Sequence, residues 1–343
     1  MRTNCLGRWL VWALALCAPL WMMASTASAA ASADRIIISG ASGQLGELVV
    51  KELLARKVDP KNLILVSRTP EKLAEFAKMG AVTRYGDVDH PESLPAAYAG
   101  GTRMLMISLA TGAPGSPSLP RPPRHKVAFD AAVKAGVRHI VYTSFMGADS
   151  GGSRLSSDHA QSEAFLKASG ARWTMLRNRF YADAQVQQAI RMIQEGRATV
   201  RPGEAKSAPV TREDCAAAAA GALLDPRTEN QAYEITGPEL IDTRDVARIA
   251  AEISGIKIEI VEQAAGAGGP GAPPGAPPGA TPPGAPPGGP AGAPPAAAMG
   301  AMESSPVVTQ AVQQLSGRPA TPIRKLLEAH RAELVAAAAA RKS

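Results

Sequence analysis

The sequence predicts an α/β protein with a doubly wound parallel sheet. Short apolar runs alternate with amphipathic segments through the first half of the chain. The first of these runs is followed at once by a glycine-rich turn and a helical pattern. Strands that alternate with helices build βαβ units, and strands buried on both faces of a parallel sheet are apolar throughout. These observations together predict the fold class.

The apolar runs are predicted to be strands, and the segments between them helices. The predicted strands span residues 35–39, 63–67, 81–85, 104–108 and 139–144. The predicted helices lie near residues 43–55, 70–78, 91–98 and 126–135. A sixth strand is expected just before Asn178, and residues 307–335 contain a further helix that starts at a proline.

The N-terminus has the three-part layout of a secretory signal peptide. Arg2 and Arg8 form a short basic region, residues 9–23 are apolar and uncharged, and small residues offer cleavage sites at 27–29 and 31–33. The apolar stretch is too short, and too close to a cleavage site, to favour a membrane anchor.

This layout predicts where the protein is found. We assign residues 1–29 to a signal peptide and expect an exported, periplasmic protein, with no stable membrane anchor after leader removal. Translation that starts at Met22 or Met23 is the alternative, and it would leave the protein in the cytoplasm.

Charge, cysteine and histidine content narrow the function classes. The net charge of +7 comes without a dense Lys/Arg stripe, so nucleic-acid binding is not expected, whereas attraction to an anionic cofactor is. Cys215 is the single cysteine after the leader, so we expect a small buried residue and no internal disulfide. No histidine pair has ligand spacing, so no metal site is predicted.

Residues 263–302 are a low-complexity segment of Gly, Ala and Pro. The segment lacks apolar periodicity, and glycine does not recur at every third position, which excludes collagen. We predict a disordered insertion that acts as a spacer, with a partner-binding PxxP role as the alternative. Residues 303–343 are then the helical C-terminal part of the protein.

The glycines after the first predicted strand form a G-x-x-G-x-x-G turn that opens the first predicted helix. In this position glycines permit a tight turn and let the backbone approach a diphosphate at the helix N-terminus. The predicted cofactor-binding residues of the turn are Gly40, Ser42, Gly43, Gln44, Leu45 and Gly46.

The end of the second predicted strand indicates which cofactor binds. Arg68 stands where an NAD site would carry an acidic residue, and a guanidinium there would pair with the 2′-phosphate of NADP(H). Asp87, after the third strand, is predicted to accept from the adenine amino group. Capping of the next helix is the alternative role for an acid here, particularly for Asp89. Ser108 completes the predicted cofactor contacts.

Several further segments belong to one recognisable pattern. They are SGASGQLG, LVSRTPEK, YGDVDHPESL, HKVAFDAAVKAGVRHIVYTS, SDHAQSEAFLKASGARWTMLRNRFYAD, VTREDCAAAAAGAL and QAYEITGPELIDTRDVARIAAEISG, with LSGRPATPIRKLL further on. The pattern resembles the NmrA-like members of the atypical short-chain dehydrogenase/reductase superfamily. Within that superfamily it is most similar to NADPH-dependent quinone oxidoreductases of the type-two, zinc-independent group.

The resemblance covers about residues 34–262 and implies two lobes. We assign residues 30–178 to a Rossmann domain and residues 179–262 to a smaller α/β substrate lobe that closes over the nicotinamide. Residues 303–343 are the C-terminal helical part of that lobe in this assignment. The leader, the Pro-rich insertion and the extended loop TGAPGSPSLPRPPR depart from the family pattern.

The acid/base pair of typical short-chain dehydrogenases is missing. No tyrosine in the chain has a lysine four positions later. The helix that resembles the one carrying this pair has His159 and Glu163 instead, which share one helical face. His159 is predicted to donate a proton or hydrogen bond to a reduced quinone oxygen, with a structural histidine as the alternative. Glu163 either orients the imidazole or makes only a helical contact.

The remaining candidates follow the fifth and sixth predicted strands. Ser144 is expected to contact nicotinamide or substrate, with capping of the following loop as the alternative. The segment after the sixth strand is expected to shape an aromatic pocket, although Phe180 and Tyr181 would also suit the core. The predicted catalytic residues are His159, Ser144 and Tyr181, and the predicted substrate-binding residues are Phe145, Asn178 and Tyr181.

These residues predict an enzyme: an NADPH-dependent reductase that acts on a quinone or a similar planar, small-molecule electrophile. Quinone reduction needs little acid/base machinery because the dihydronicotinamide supplies the hydride. The alternative is a non-enzymatic, NADP-binding redox sensor that acts through a protein partner docked on the Pro-rich insertion. A homodimer is left open, and a sugar-nucleotide epimerase is disfavoured because it would need the missing tyrosine.

Overall fold

Seven short apolar strands form a parallel sheet at the centre of the protein. The computed structural model describes residues 34–110, 120–150, 153–263 and 306–342, which belong to one compact unit that begins at Asp34. The strands are β1 Ile36–Ser39, β2 Leu63–Ser67, β3 Val82–Tyr85, β4 Arg103–Met106, β5 His139–Phe145, β6 Arg172–Asn178, β7 Arg197–Val200, β8 Gln231–Ile235 and β9 Glu259–Glu262. The central sheet has the order β3-β2-β1-β4-β5-β6-β8, and all its pairs are parallel.

The five strands predicted in the first half of the chain are confirmed to within two residues at each end. β1, β2 and β5 are buried along their whole length. Strands that are apolar at every position cannot leave one face in water, so helices must cover both sides of the sheet.

Helices cover the two faces of this sheet. The helices are α1 Gln44–Ala55, α2 Ala74–Lys78, α3 Leu94–Tyr98, α4 Arg121–Lys134, α5 Arg154–Lys167, α6 Ala184–Glu195, α7 Arg212–Leu224, α8 Thr243–Ser254, α9 Ala311–Ser316, α10 Ile323–Ala329 and α11 Arg331–Lys342. Buried residues of α1, α7 and α9 form a core on one face, and those of α3, α4 and α5 form a second core on the other. The predicted doubly wound α/β fold is confirmed.

The order in which successive strands are added to the sheet reverses between β1 and β4. β2 and β3 extend the sheet on one side of β1, and β4, β5, β6 and β8 extend it on the other. In open α/β sheets the ligand crevice lies at such a reversal, at the carboxyl ends of the strands. All the predicted cofactor residues follow strands at this edge.

The helix predicted near residues 126–135 begins earlier, at Arg121. Pro120 occupies its N-cap position, and Pro122 and Pro123 lie in its first turn. Prolines are tolerated there because the first N–H groups of a helix have no intrahelical acceptor. The end of the extended loop is therefore helical, which the proline-rich composition concealed.

A smaller lobe is built from α6, α8, α10 and α11 together with the two-stranded parallel sheet of β7 and β9. α8 is bounded by clear signals: Asp242 and Asp245 form a capping box, and Gly255 ends the helix with a φ of 70°. The apolar faces of the four helices share one core.

The central sheet also takes elements from the second half of the chain. β8 pairs with β6, and α7 and α9 pack on the same face as α1. Arg56 of α1 donates to the carbonyl oxygens of Ala217 and Ser316, at 3.4 and 2.9 Å. The segment 179–262 thus contributes to both lobes, and the assigned lobe boundaries remain predictions.

Two predicted segments fall outside the described residues: the signal peptide at 1–29, and the insertion at 263–302 apart from Gln263. Within the described ranges, no helix combines the length and the apolar character that crossing a membrane requires.

Candidate cofactor and substrate site

The turn between β1 and α1 requires glycine at two positions. Gly40 has a φ of +90°, in the left-handed region that favours glycine. Its N–H and that of Ala41 donate to the Val66 carbonyl, at 3.0 and 3.1 Å. A Cβ on Gly46 would lie 2.3 Å from the Gly40 carbonyl oxygen and 2.8 Å from the Ala41 Cα. The helix can approach the strand this closely only with glycine at this position.

The N-terminus of α1 is open to an anion. Gly43 is the N-cap, and no side chain caps the helix. The first backbone bond runs from the Glu47 N–H to the Gly43 carbonyl at 2.9 Å. Among the described residues, no acceptor is bonded to the N–H of Gln44, Leu45 or Gly46. Free amides at the positive end of a helix dipole suit a diphosphate.

Hydroxyl side chains meet beside Arg68 at the end of β2. Ser42 Oγ lies 2.5 Å from Ser67 Oγ and 3.5 Å from Thr69 Oγ1. The Thr69 N–H donates to Ser67 Oγ at 2.9 Å. Arg68 is exposed, and within the described part of the chain it makes no hydrogen bond or ion pair. A free guanidinium next to hydroxyl donors suits a 2′-phosphate.

These features fit NADP(H): Gly40, Gly43 and Gly46 with the α1 amides would hold the diphosphate, and Arg68 with the hydroxyls would hold the 2′-phosphate. Ser67 and Thr69 were not predicted as cofactor-binding residues, although their positions on either side of Arg68 could have indicated them.

Asp87 lies at the same edge, after β3. Its Oδ1 accepts from the Asp89 N–H at 3.0 Å, and its own N–H donates to Ser93 Oγ at 3.0 Å. Asp89 forms a two-point ion pair with Arg124, at 2.7 and 2.5 Å. The alternative that Asp89 caps the next helical segment is wrong, because Arg124 takes its carboxylate and His90 holds the N-cap position without a side-chain bond.

Ser108 sits two residues beyond β4, on the loop that borders the glycine turn. A Cβ on Gly40 would lie 3.4 Å from the Ile107 Cβ, so the two loops are in contact. The Ser108 N–H donates to Thr143 Oγ1 at 2.8 Å. This bond ties the loop after β4 to the end of β5, on one side of the predicted crevice.

Both ring nitrogens of His159 are bonded within the protein. Arg121 Nη1 lies 2.9 Å from His159 Nε2. A guanidinium only donates, so Nε2 accepts and the proton of the neutral ring lies on Nδ1. Nδ1 is 2.8 Å from the Tyr142 hydroxyl, to which it donates. Tyr142 and Arg121 therefore orient the imidazole.

The same logic fixes the second histidine of this network. The Leu109 N–H donates to His125 Nε2 at 3.0 Å, so the proton of His125 also lies on Nδ1. That Nδ1 lies 2.9 Å from Ser162 Oγ and 3.1 Å from the Tyr142 hydroxyl. His125 is fully buried, and the network spans α4, β5 and α5.

The network is neutral apart from its arginine. Burial, and then the Arg121 charge, lower the pKa of His159 to about 3. Burial lowers the pKa of His125 well below its ordinary value, and the Arg121 and Arg124 charges act in the same direction. Burial raises the pKa of Tyr142. In this geometry His159 has no N–H directed away from the protein, and its predicted role as a donor stays a prediction.

Ser144 belongs to a buried ionic cluster. Its Oγ donates to Glu163 Oε1 at 2.6 Å. Arg177 donates to both oxygens of Glu163, each at 2.9 Å, and also reaches Asp149 at 2.7 Å and Glu234 at 3.2 Å. These bonds, led by those to Glu163, raise the pKa of Arg177. Because the Glu163 carboxylate is used here, its predicted role in orienting His159 is wrong.

Aromatic rings gather where β5 and β6 end. The Phe145 ring centroid lies 5.9 Å from that of His159 and 5.1 Å from that of Phe180, with Phe180 edge-on. Phe145 pairs with Asn178 in the sheet register. The structure thus brings His159, Phe145, Phe180 and Asn178 to one region.

Tyr181 lies apart from His159. Its ring packs 4.5 Å from the Arg212 guanidinium and borders the core of α1, α7 and α9. Burial raises the pKa of its hydroxyl, whereas the Arg212 charge and the Asn178 side chain lower it. No hydrogen bond or ring contact joins Tyr181 and His159 within the described ranges.

Arg121, His125 and Tyr142 were not predicted as site residues. Arg121 and His125 are four apart on α4, which places them on one helical face. That spacing was a usable signal, but the proline-rich stretch around them hid the helix.

The described residues contain neither a reactive cysteine nor a group of metal ligands. Cys215 is buried in α7, as predicted, and burial raises the pKa of its thiol. Residues 34–110, 120–150, 153–263 and 306–342 contain no group of three or more His, Cys, Asp or Glu side chains that could hold a metal ion.

Comparison with known proteins places the chain in a family. The model of an NAD(P)H-binding family matches residues 40–226. Quinone oxidoreductase 2 of Escherichia coli is 32% identical over 219 residues, which cover 64% of this chain and 73% of that protein. An NAD(P)H azoreductase of Xenophilus azovorans is 28% identical over 309 residues, which cover 88% of this chain and all of that one.

Solved structures agree with these relatives. The E. coli NADPH-dependent quinone oxidoreductase in complex with NADPH superposes with a TM-score of 0.70 at 25% identity, covering 86% of this chain and 99% of that one. The Citrobacter sp. triphenylmethane reductase in complex with NADP(H) gives a TM-score of 0.67 at 27% identity, with the same coverage. The predicted cofactor and the predicted enzyme class are thereby confirmed. The glycine turn, the arginine after β2 and these relatives lead to one conclusion: the chain belongs to the NAD(P)H-binding family, as an NmrA-like oxidoreductase.

Proposed function

We propose that this protein is an NADPH-dependent reductase of quinones and similar planar electrophiles. The observation that carries the proposal is the row of rings formed by Phe180, Phe145 and His159 at the carboxyl ends of β5 and β6. Phe180 is partly exposed, whereas Phe145 and His159 are buried behind it, so Phe180 is the ring against which a planar substrate would pack. The relatives are named for quinones, azo compounds and triphenylmethane compounds, all of which are conjugated electron acceptors.

The chain's own residues bind and orient the reactants in this proposal. The amides of α1 and the Arg68 guanidinium hold the anionic groups of the cofactor, and the Ser108–Thr143 bond fixes the loop between the two binding regions. When bound, NADPH supplies a hydride. The rings then keep a planar acceptor in place and exclude water from one of its faces.

Proton supply does not need an ionising side chain here. One quinone, one NADPH and one proton give one hydroquinone and one NADP⁺. The His159 and His125 rings are neutral and bonded to protein groups, so we assign the proton on the product oxygen to solvent. This agrees with the missing Tyr-x-x-x-Lys pair, which alcohol oxidation would need and quinone reduction does not.

The test is NADPH oxidation by 1,4-benzoquinone and 2-methyl-1,4-naphthoquinone, with the hydroquinone measured as product. We expect equimolar loss of NADPH and gain of hydroquinone, with NADH a much poorer reductant. NADPH binding without turnover on a broad panel of quinones and azo compounds would overturn the proposal.

We further propose that residues 1–29 direct export to the periplasm. The proposal is supported by the layout of this segment, in which Arg2 and Arg8 precede an apolar, uncharged stretch at 9–23 and small residues at 27–29. The mass of the mature N-terminus in fractionated cells tests it. A cytoplasmic protein that starts at Met22 or Met23 would contradict it. The homodimer and a partner at the Pro-rich insertion likewise stay predictions.

A further inference from the structure

Asn178 holds a central place at the carboxyl edge of the sheet. It is the last residue of β6, and it is paired with Phe145 of β5 on one side and Ile235 of β8 on the other. Its residue exposure is 5%. A side-chain amide this deeply buried is expected to have both of its ends hydrogen-bonded.

The oxygen of this amide is the end that lacks a partner in the part of the chain that the structure describes. The Oδ1 atom is buried and has no hydrogen-bond partner among the described residues.

The surroundings hold this amide in place. The Asn178 carbonyl accepts from the Met146 N–H at 3.2 Å, which fixes the backbone. Three residues further on, the Tyr181 ring packs 4.5 Å from the Arg212 guanidinium, which holds the segment after β6. The orphan acceptor therefore belongs to a strand end that is paired with Phe145 and is two residues before Phe180.

We infer that Asn178 Oδ1 accepts a hydrogen bond from an N–H or O–H group on the substrate. The inference rests on the proposed function and narrows it. A quinone without substituents carries only acceptors and leaves Oδ1 unsatisfied. An amino-substituted planar acceptor satisfies it. The site therefore selects conjugated acceptors that bear a donor group on the ring system.

The experiment compares two quinones of similar shape in two proteins. 2-Amino-1,4-naphthoquinone carries an N–H donor, and 2-methyl-1,4-naphthoquinone carries none. The kcat/KM for each is measured with the full-length protein and with Asn178→Leu, which has a similar volume and no acceptor. Because each quinone's intrinsic reactivity is the same with both proteins, it cancels when the two ratios are compared.

We expect Asn178→Leu to lower the amino-to-methyl ratio of kcat/KM about tenfold, the effect of one well-formed hydrogen bond. Asn178→Ala, which only removes atoms, gives the same comparison if Leu cannot be accommodated. Circular dichroism and the Kd for NADPH confirm a folded, cofactor-binding variant.

An unchanged ratio overturns the inference, whether both rates fall together or neither falls. That is the result expected if a water molecule or the cofactor's carboxamide satisfies Oδ1. Wild-type protein that binds NADPH but reduces neither quinone defeats the proposed function itself, so the two failures are distinguishable.

Discussion

Gly46 shows how a single missing side chain shapes the cofactor site. Its hydrogen occupies the space between α1 and the turn that follows β1, where a Cβ would lie 2.3 Å from a carbonyl oxygen. Any larger residue must push the helix N-terminus, and its free amides, away from the turn. We expect diphosphate binding to depend on that distance.

We therefore expect Gly46→Ala to weaken NADPH binding as well as stability, the latter by about 1–3 kcal/mol as in other overpacked sites. Fluorescence titration gives the Kd, and thermal unfolding gives the Tm. Gly221→Ala is the matched control, because its Cβ would lie 1.8 Å from the Leu315 carbonyl, far along α7 from the turn. It should lower Tm and leave the Kd for NADPH unchanged in the folded protein. Equal loss of affinity in both variants would contradict this.

Arg68 is predicted to set the preference for NADPH over NADH. It is exposed beside the Ser42, Ser67 and Thr69 hydroxyls. Replacing Arg68 should remove the charged contacts to the 2′-phosphate of NADPH. It should not affect the binding of NADH, because NADH lacks that group.

Arg68→Gln is expected to raise the Kd for NADPH by about 10- to 100-fold, the loss of charge-assisted hydrogen bonds, and to leave the Kd for NADH nearly unchanged. Equilibrium titration of both nucleotides measures this. Arg191→Gln removes another exposed arginine, on α6, and should change neither Kd. A parallel weakening of NADH and NADPH binding by Arg68→Gln would show that Arg68 has a general structural role.

At the scale of elements, an ionic cluster joins β5, α5, β6 and β8 beneath the site. Arg177 of β6 reaches Glu163 on α5 and Glu234 on β8, and Glu163 also accepts from Ser144 of β5. Removing one partner of a buried pair leaves the other charge without compensation, which costs far more than breaking an exposed pair.

Glu163→Gln is therefore expected to lower the free energy of unfolding by about 3–5 kcal/mol. Glu75→Gln breaks the exposed pair between Glu75 and Lys78, 2.7 Å apart, and should cost less than about 1 kcal/mol. Urea unfolding with a common m-value measures both. Similar small losses in the two variants would mean that the Arg177 pairs with Asp149 and Glu234 compensate for the missing one.

The packing of α4 explains why Arg121 was not predicted as a site residue. The helix α4 was placed five residues too late because prolines normally end helices, whereas here they occupy its first turn. Arg121 is separated from His159 by 38 positions. Their contact depends on how α4 and α5 pack over β5, and no spacing in the sequence records that packing.

For the molecule as a whole, buried neutral histidines make stability depend on pH. Burial, with the Arg103 charge next, lowers the pKa of His139 to about 4, and that of His159 is lowered to about 3. The pKa of His125 is also well below its ordinary value. In the unfolded chain these rings titrate near pH 6.5. Above that pH both states leave these rings neutral, so the free energy of unfolding is at its full value. Below it the unfolded chain binds protons that the folded protein does not, so the free energy of unfolding decreases as the pH falls towards the folded-state pKa values.

We expect the free energy of unfolding to fall between about pH 7 and pH 5.5, approaching 1.4 kcal/mol per pH unit for each of these histidines below pH 6.5. Urea unfolding across this range measures the slope. His139→Gln, at the edge of the sheet opposite the site, should make the slope shallower by one histidine. A slope that is flat in the wild-type protein would contradict the neutral buried state.

The sequence by itself determined the features that are local in the chain. Apolar runs that alternate with helical segments predicted the parallel sheet, because each run and each helical pattern lies within one continuous stretch of sequence. The glycine spacing and Arg68 predicted NADP(H), because the glycine turn is continuous with its strand and helix and Arg68 directly follows the second strand. Tertiary structure alone decided the features that depend on packing between distant elements. Both ring nitrogens of His159 are hydrogen-bonded within the protein, and Glu163 is bonded to Arg177 and not to His159. Among the described residues Tyr181 makes no hydrogen bond or ring contact with His159, and Asn178 Oδ1 is buried without a hydrogen-bond partner. Hydrogen bonds act over about 3 Å, so they depend on an arrangement in space that spacing along the chain does not contain.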